Sequence, residues 1–202
     1  PAYPRRRVPA MPTRILLVRH GATTLTAEDR FAGSSTVHLS DEGHRQVASL
    51  AQRLEREPLH AVYCSPLDRT VETARILASP HGREINVEEG LREIDYGRWD
   101  GLRRSDIERD FAEEYAAWQE DPFTIAPRGG ESGVNVLNRA LPVMRRIVGE
   151  NRHKIVLVVA HKGVNRVLIS SRVGFDVRGY RDRLAQSPAG RRILAVMGDV
   201  QA

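Results

Sequence analysis

The sequence predicts an α/β fold, a mostly parallel sheet with helices on both faces. Two unbroken apolar runs, 15–18 and 154–160, are typical of strands that are buried on both sides of a sheet. Between them, amphipathic helical segments alternate with shorter apolar runs, the order expected of parallel strands joined by crossover helices. The length of 202 residues, 41% hydrophobic and 28% charged, fits one such domain.

Basic side chains follow the first strand directly. The strand expected over 14–19 leads into Arg19 and His20, and Gly21 lets the backbone turn sharply beside them. Ligands of open α/β sheets bind at the carboxyl ends of strands, so this pair is positioned to meet an anion. On these residues alone, a strand that simply ends in a basic turn is an equal alternative.

The loop 21–39 that follows is long for a compact domain, and loops of this length are usually functional or disordered. Gly33 and Ser34, at the start of a GSST run, could offer backbone N–H groups to an anion, although a plain surface turn is the favoured interpretation. Ser40 then caps an amphipathic helix, which ends at Pro58.

The second strand, expected over 61–64, also precedes a basic residue. Ser65 and Pro66 are typical of a helix start, and Arg69 falls in the first turn, where the helix dipole favours acids instead. We therefore expect Arg69 to face something negative. The alternative is an exposed arginine paired with an acid of its own helix.

A weak third strand, over 84–87, is expected near an edge of the sheet. Glycines, a proline and one or two short charged helices after it predict a small helical lid, about 98–130, over the carboxyl edge of the sheet. Ser132 could cap the next helix, in which Pro142 should produce a kink or a break.

The strand at 154–160 repeats the arrangement of the first strand, because it runs into His161 and Lys162. A helix follows. The remaining part, 174–190, is polar and loop-like, and the short apolar run 193–197 leaves the last strand uncertain.

The predicted strand ends bring five basic side chains to one edge of the sheet, and cations so placed repel one another unless an anion lies among them. Arginine is suited to a bidentate contact with phosphate, whereas it repels metal ions, and no cysteine or carboxylate pair completes a metal site. Neither a GxSxG serine elbow nor a GxxxxGK[ST] phosphate loop occurs. The five residues are Arg19, His20, Arg69, His161 and Lys162.

Charge and composition exclude several classes of protein. The net charge is +5, but the basic residues are spread along the chain with little aromatic content between them, which disfavours a nucleic-acid groove. No apolar run approaches the length of a membrane span, and the single Cys64 permits a reducing compartment, so a cytoplasmic location is expected. Residues 1–12 are expected to be a disordered basic arm or a non-native extension, and 13–202 a single domain.

Seven short motifs, in this order, resemble those of the histidine phosphatase superfamily, the phosphoglycerate mutase-like proteins, and they cover almost the whole chain after Met11. Each motif is weak alone, and the complete series in the family order is specific. The motifs are RHGxT at 19–23, LSxxGxxQ at 39–46, CSPLxRT at 64–70, LxE at 91–93, GxWxG at 97–101, GGES at 129–132 and VAH at 159–161.

The resemblance implies a role for each catalytic residue. His20 would be the nucleophile that becomes phosphorylated, while Arg19, Arg69 and His161 would bind the phosphoryl group and stabilise its charge. Glu93 would be the general acid and then the base for water. Neighbouring arginines disfavour a protonated His20, which agrees with its role as nucleophile.

Two positions depart from the family pattern. Thr26 stands where the family often has an asparagine, so this phosphate contact is expected to be weaker or to come from a hydroxyl. Lys162 follows the second histidine where many members have a small residue. It either adds a positive charge that favours a second acidic group on the substrate or is a solvated side chain.

The resulting functional prediction is a metal-independent phosphatase, without a cofactor, that acts on a small phosphomonoester of the sugar phosphate, phosphoglycerate or phosphoserine type; a homodimer is one option. One alternative is a cofactor-dependent phosphoglycerate mutase, disfavoured because the segment 93–97 lacks the basic residues that hold a substrate carboxylate. Arg103 and Arg104 are interpreted as exposed lid charges. The other alternative, a catalytically idle phosphate-binding module, is disfavoured by the joint presence of the four residues His20, Arg69, Glu93 and His161.

Overall fold

A computed structural model describes residues 12–172 and 194–195 of the chain. The strands in this part are β1 (Arg14–Arg19), β2 (Leu59–Cys64), β3 (Ile85–Val87), β4 (Ile155–Ala160) and β5 (Leu194–Ala195). They form one sheet in the order β3-β2-β4-β1-β5. The first four strands run parallel and β5 pairs antiparallel with β1, which confirms the mostly parallel sheet and the edge position of the third strand.

Helices cover both faces of this sheet, as predicted. Side chains alternate along β1, with Ile15 and Leu17 on one face and Leu16 and Val18 on the other, so a continuous apolar run satisfies two cores at once. The helices are α1 (Thr24–Ala27), α2 (Asp41–Leu54), α3 (Asp68–Ala78), α4 (Arg104–Asp110), α5 (Ala112–Glu120), α6 (Gly133–Glu150) and α7 (Lys162–Arg172). The first core includes residues of α6 and α7, and the second includes residues of α2 and α3.

Side-chain caps fix the starts of α2 and α6, as the sequence predicted. Ser40 accepts the Gly43 N–H at the start of α2, and Ser132 forms a capping box with Asn135 at the start of α6, as its position predicted. Of the kink or break expected at Pro142, the break does not occur, because the 18-residue helix α6 runs continuously through this proline. Pro142 lies on the exposed side of the helix, where water can satisfy the carbonyl that the proline leaves without a donor.

The segment after β3 forms a third, smaller core. Phe31 packs with Trp99, Tyr115 and Trp118, whose rings meet mostly edge to face, and Ile107 completes the cluster. This cluster ties α4 and α5 to the loop after β1, on the side of the sheet where β1 ends. No helix in the described part of the chain is long and apolar enough to cross a membrane. The predicted arm at 1–12, except for its last residue, and the segment 174–190 lie outside the described residues.

Candidate active site

The two predicted histidines leave adjacent parallel strands at the same edge of the sheet. In the β1–β4 pairing Arg19 lies opposite Ala160, so His20 and His161 follow at the same level. Their ring centroids are 5.2 Å apart and the rings are inclined by 60°. This confirms that the carboxyl ends of the two long apolar strands bring the histidines together.

The hydrogen bonding of His20 leaves one ring nitrogen available. Its Nδ1 lies 2.7 Å from the carbonyl oxygen of Gly21, and since a carbonyl can only accept, Nδ1 carries the hydrogen and Nε2 presents a lone pair. Burial, followed by the positive charges of Arg19 and Arg69, holds the pKa of His20 well below its ordinary value, against the smaller opposite effect of the Gly21 bond. The side chain is 8% exposed, so a neutral nucleophilic nitrogen is kept in a largely dry site.

His161 is held by a residue of the next strand. Its Nε2 lies 2.8 Å from the hydroxyl oxygen of Ser65, directly after β2, and its Nδ1 is buried with no hydrogen-bond partner among the described residues. Ser65 was expected to begin a helix, but α3 begins at Asp68 after the uncapped Leu67, and the Ser65 hydroxyl instead contacts His161 and accepts the Leu67 N–H at 3.4 Å. Burial and the neighbouring His20, Arg69 and Arg19 lower the pKa of His161 well below its ordinary value.

Arg69 lies in the first turn of α3, and its guanidinium is turned inward and 1% exposed. It donates to the backbone oxygens of Ser35 at 3.0 Å, Gly33 at 2.9 Å and Ala32 at 3.2 Å. Its hydrogen bonds therefore go to carbonyl oxygens of the loop after β1, and the negative charges that act on it are those of Glu93 and Asp100, not of an acid of its own helix. Its Nε has no hydrogen-bond partner in the part of the chain that the structure describes.

Three buried nitrogen atoms near His20 lack hydrogen-bond partners among the described residues: Nε of Arg19, Nε of Arg69 and Nδ1 of His161. Buried donors are almost always paired in folded proteins, so three such atoms around one histidine need an explanation. Burial lowers the pKa of both arginines, while the negative charge of Glu93 acts in the opposite direction. A bound anion would satisfy these donors and compensate the clustered positive charge.

Gly33 and Ser34, predicted to bind the substrate anion, bind an anion of the chain itself. The Gly33 N–H donates to Oδ1 of Asp100 at 2.7 Å, and the Ser34 and Ser35 hydroxyls donate to Oδ2 at 3.1 and 2.9 Å. Asp100, from the segment after β3, thus takes the place that was expected for substrate. The GSST run therefore forms a structural contact with Asp100, and this contact fixes the loop that Arg69 also holds.

Glu93 reaches the amino end of α7. Its Oε1 accepts the N–H groups of Ile94 at 2.9 Å and Val164 at 3.2 Å, and its Oε2 accepts that of Gly163 at 3.1 Å. These bonds occupy both lone pairs of Oε1 and one of Oε2, which leaves one position on Oε2 for a proton. The carboxylate is 9% exposed and borders the cavity beside His20.

The cavity at this edge of the sheet has a volume of about 250 Å³. Five of the predicted site residues line it: Arg19, His20, Thr26, Glu93 and Lys162. The hydroxyl of Thr26 lies 3.0 Å from that of Thr23, the cap of α1, which holds it at the wall. Arg69, His161, Gly33 and Ser34 are not among the lining residues.

Sequence reasoning missed several wall residues: Asp29, Arg30, Phe31, Tyr96, Arg104, Trp118 and Arg166. Arg104 was interpreted as an exposed lid charge, but it lines the cavity, forks onto Asp29 and donates to the Tyr115 hydroxyl at 2.9 Å. Arg166 had a signal in the sequence, since it lies four residues after Lys162 on the same helix face. Trp118 lies in α5, and the others lie in loops; of these residues, Phe31, Tyr96 and Trp118 pack in or against the aromatic cluster. In the part of the chain described here, no group of three His, Cys, Asp or Glu side chains could hold a metal ion.

Comparisons with known proteins agree with this geometry. Residues 15–201 match the histidine phosphatase superfamily (branch 1). Phosphoserine phosphatase 1 of Hydrogenobacter thermophilus is 32% identical over 81% of this chain and 78% of that protein. Glucosyl-3-phosphoglycerate phosphatase of Mycolicibacterium vanbaalenii is 31% identical over 81% of this chain and 76% of its own.

Solved structures show the same fold. The mycobacterial glucosyl-3-phosphoglycerate phosphatase in complex with VO3 has a TM-score of 0.77 at 30% identity and covers 83% of this chain and 85% of its own. The alpha-ribazole phosphatase of Shigella flexneri has a TM-score of 0.75 at 27% identity, with 83% of each chain covered. The chain therefore belongs to the histidine phosphatase superfamily and is a phosphatase.

Proposed function

We propose that the enzyme hydrolyses a small phosphomonoester through a phosphohistidine formed on Nε2 of His20. The observation that carries this proposal is the bond from Nδ1 to the Gly21 carbonyl, which fixes the tautomer and leaves Nε2 as a lone pair beside the cavity. A buried imidazole with a pKa held well below its ordinary value is neutral at physiological pH and needs no separate base before it attacks.

In the first step, Nε2 of His20 forms a bond to phosphorus as the bond from phosphorus to the ester oxygen breaks. The departing oxygen takes a proton from Oε2 of Glu93, the one carboxylate position without a backbone partner. Nε of Arg19, Nε of Arg69 and Nδ1 of His161 are the donors available to the phosphoryl oxygens. Because they are held in place before substrate arrives, they stabilise the developing charge without reorganisation.

In the second step, a water molecule attacks the phosphohistidine and Glu93 accepts its proton. The bond between phosphorus and Nε2 breaks, inorganic phosphate forms, and the lone pair returns to His20. The same carboxyl group thus gives a proton and then takes one, which restores the starting state after each turnover.

The cavity favours a compact, anionic substrate. Its lining carries the arginine, lysine and histidine side chains named above and only two carboxylates, Asp29 and Glu93. We propose a substrate of the sugar phosphate, phosphoglycerate or phosphoserine type, and the substrates named for the relatives agree with this class. Thr26 and Lys162 are the proposed binding residues. A cytoplasmic location and a homodimer belong to the same proposal; sedimentation velocity of the purified chain tests the dimer.

The test uses Glu93→Gln with p-nitrophenyl phosphate, whose leaving group hardly needs a proton. We expect a burst of up to about one equivalent of nitrophenol per active site and then a slow steady state, because only the second step still needs the carboxylate. Phosphate should be found on His20 in the quenched variant and be absent from His20→Ala. All assays contain a chelator, which should leave the activity unchanged. A variant without a burst, or one whose kcat/KM falls equally for alkyl and aryl phosphates, would contradict the acid–base role.

A further inference from the structure

An arginine outside the cavity binds the backbone of the segment that carries Glu93. Arg139, in the middle of α6, donates from Nη1 to the carbonyl oxygens of Gly90 at 2.9 Å and Arg92 at 2.8 Å, and from Nη2 to that of Glu93 at 3.0 Å. One planar guanidinium thus donates hydrogen bonds to three backbone carbonyl oxygens of the segment 90–93. A lysine could not reproduce this contact, because its single ammonium has no comparable fork.

Glu131 completes the contact from the other side. Its two carboxylate oxygens accept Nε and Nη2 of Arg139 at 2.9 and 2.7 Å, and Oε2 also accepts the N–H of Asp95 at 3.1 Å. The backbone of Glu131 donates to the Asp95 carbonyl at 2.8 Å. Burial would raise the pKa of Glu131, but the bonds from Arg139 and the Asp95 N–H outweigh it and lower that pKa, so the group stays charged.

The surrounding packing leaves this segment little room to move. A side chain at Gly90 would approach the carbonyl oxygen of Arg139 to 2.6 Å, and one at Gly130 would approach that of Asp95 to 2.4 Å. The helix that carries Arg139 is itself fixed by the capping box at Ser132. The acid is therefore held twice, by the amino end of α7 at its carboxylate and by the pair Arg139–Glu131 at its backbone.

We propose that Arg139, with Glu131, is a positioning residue for the proton transfer made by Glu93. The guanidinium hydrogen bonds of Arg139 go to Glu131 and to backbone carbonyls of the segment 90–93, and neither residue lines the cavity, so each acts through the Glu93 segment and not on substrate. The proposal rests on the acid role given to Glu93 under the proposed function. A displacement of about 1 Å at a catalytic group is enough to cost about 100-fold in rate, so a backbone contact of this kind matters for the chemistry.

The experiment compares two substrates in Arg139→Gln. The alkyl phosphate is whichever of phosphoserine, 3-phosphoglycerate and glucose phosphates the wild-type enzyme hydrolyses fastest. We expect kcat/KM to fall about 10- to 100-fold for this substrate and to stay within about threefold for p-nitrophenyl phosphate. The ratio is informative because kcat/KM reports the first step only, in which the two leaving groups differ in their need for a proton. Misfolded protein would lower both values equally.

Two matched variants distinguish position from stability. Arg14→Gln removes another forked ion pair, to Glu57 at 3.0 and 3.3 Å, at the opposite end of β1, and should leave the substrate ratio unchanged. Glu131→Gln keeps an acceptor for the Asp95 N–H and should show the same selective loss in smaller degree. It is the decisive variant if Arg139→Gln does not fold.

The outcomes separate the two proposals. Equal losses on both substrates in Arg139→Gln and Glu131→Gln, while Glu93→Gln is selectively slow with the alkyl phosphate, would overturn the positioning role alone. Equal losses in Glu93→Gln would overturn the acid assignment and this inference with it. A selective loss in all three variants would support both.

Discussion

Gly163 offers the sharpest test of how closely the acid is packed. It is the second residue of α7, after Lys162, and its N–H donates to Oε2 of Glu93. A methyl group placed there by Gly163→Ala would lie 2.7 Å from Oε1 of Glu93 and 2.6 Å from the Cδ1 atom of Ile94. Both atoms belong to the segment that carries Glu93, so this segment, the amino end of α7 or both must move.

The size of the movement follows from ordinary contact distances. Van der Waals contact of a Cβ begins at 3.4 Å, so the carboxylate must retreat by several tenths of an ångström, and the hydrogen bonds from Gly163 and Val164, at 3.1 and 3.2 Å, lengthen with it. A shift approaching 1 Å at a proton donor costs up to about 100-fold in rate, or about 2.7 kcal/mol. We therefore expect kcat/KM for an alkyl phosphate to fall by about 10- to 100-fold.

The assay pairs this variant with Gly149→Ala. Gly149 lies near the end of α6, where an added Cβ would meet nothing within 4 Å. That control should keep full activity and gain about 0.5–1 kcal/mol in the free energy of unfolding, because alanine favours a helix. If Gly163→Ala retains kcat/KM within about twofold, the acid is not held by this contact and the packing analysis of Glu93 fails.

Two further predictions concern Arg69 and the two histidines. Arg69→Lys keeps the charge but loses the planar guanidinium that holds three loop carbonyls. The variant should lose about 2–4 kcal/mol of transition-state stabilisation, measured as a decrease in kcat/KM. Wild-type kinetics would show that Arg69 has a structural role only. The folded pKa values of His20 and His161 are depressed, so at pH below about 6.5 the unfolded chain binds protons that the native state does not. As the pH decreases below this value, each histidine should lower the free energy of unfolding by up to about 1.4 kcal/mol per pH unit. In denaturant titrations, a double variant His20→Asn, His161→Asn should show a shallower dependence of this free energy on pH.

Local patterns in the sequence predicted most of the fold. The run at 15–18 buries alternate side chains in two cores, which is why it has no polar face and why a central parallel strand was the correct interpretation. Ser40 and Ser132 were identifiable because a capping hydroxyl acts on backbone groups only three residues away. Pro142 did not break its helix, since the exposure that makes the proline tolerable is a property of the packed molecule.

The site was less predictable where it depends on loops. Gly33 and Ser34 had the composition of an anion-binding turn, but the anion proved to be Asp100, 67 residues further along the chain from Gly33. Arg104 was interpreted as exposed, but the aromatic cluster around Trp99 and Trp118, together with the backbone and ion-pair contacts to Asp29, brings its helix to the cavity. Arg139 carried no signal, because three of its hydrogen bonds go to backbone carbonyls, which every residue has, and its acid, Glu131, lies eight residues away, before the helix begins.

The sequence by itself determined the parallel strands, the helix starts at Ser40 and Ser132, and the placement of His20 and His161 at one edge of the sheet. Those features depend on periodicity and on the rule that parallel strands end together, and both are local or topological. Only the tertiary structure decided which groups each side chain binds: Nδ1 of His20 to Gly21, Ser65 to His161, and Glu93 to the amino end of α7. The physical reason is that a hydrogen bond depends on distances of a few tenths of an ångström between residues far apart in the chain, and residue type alone does not specify these distances.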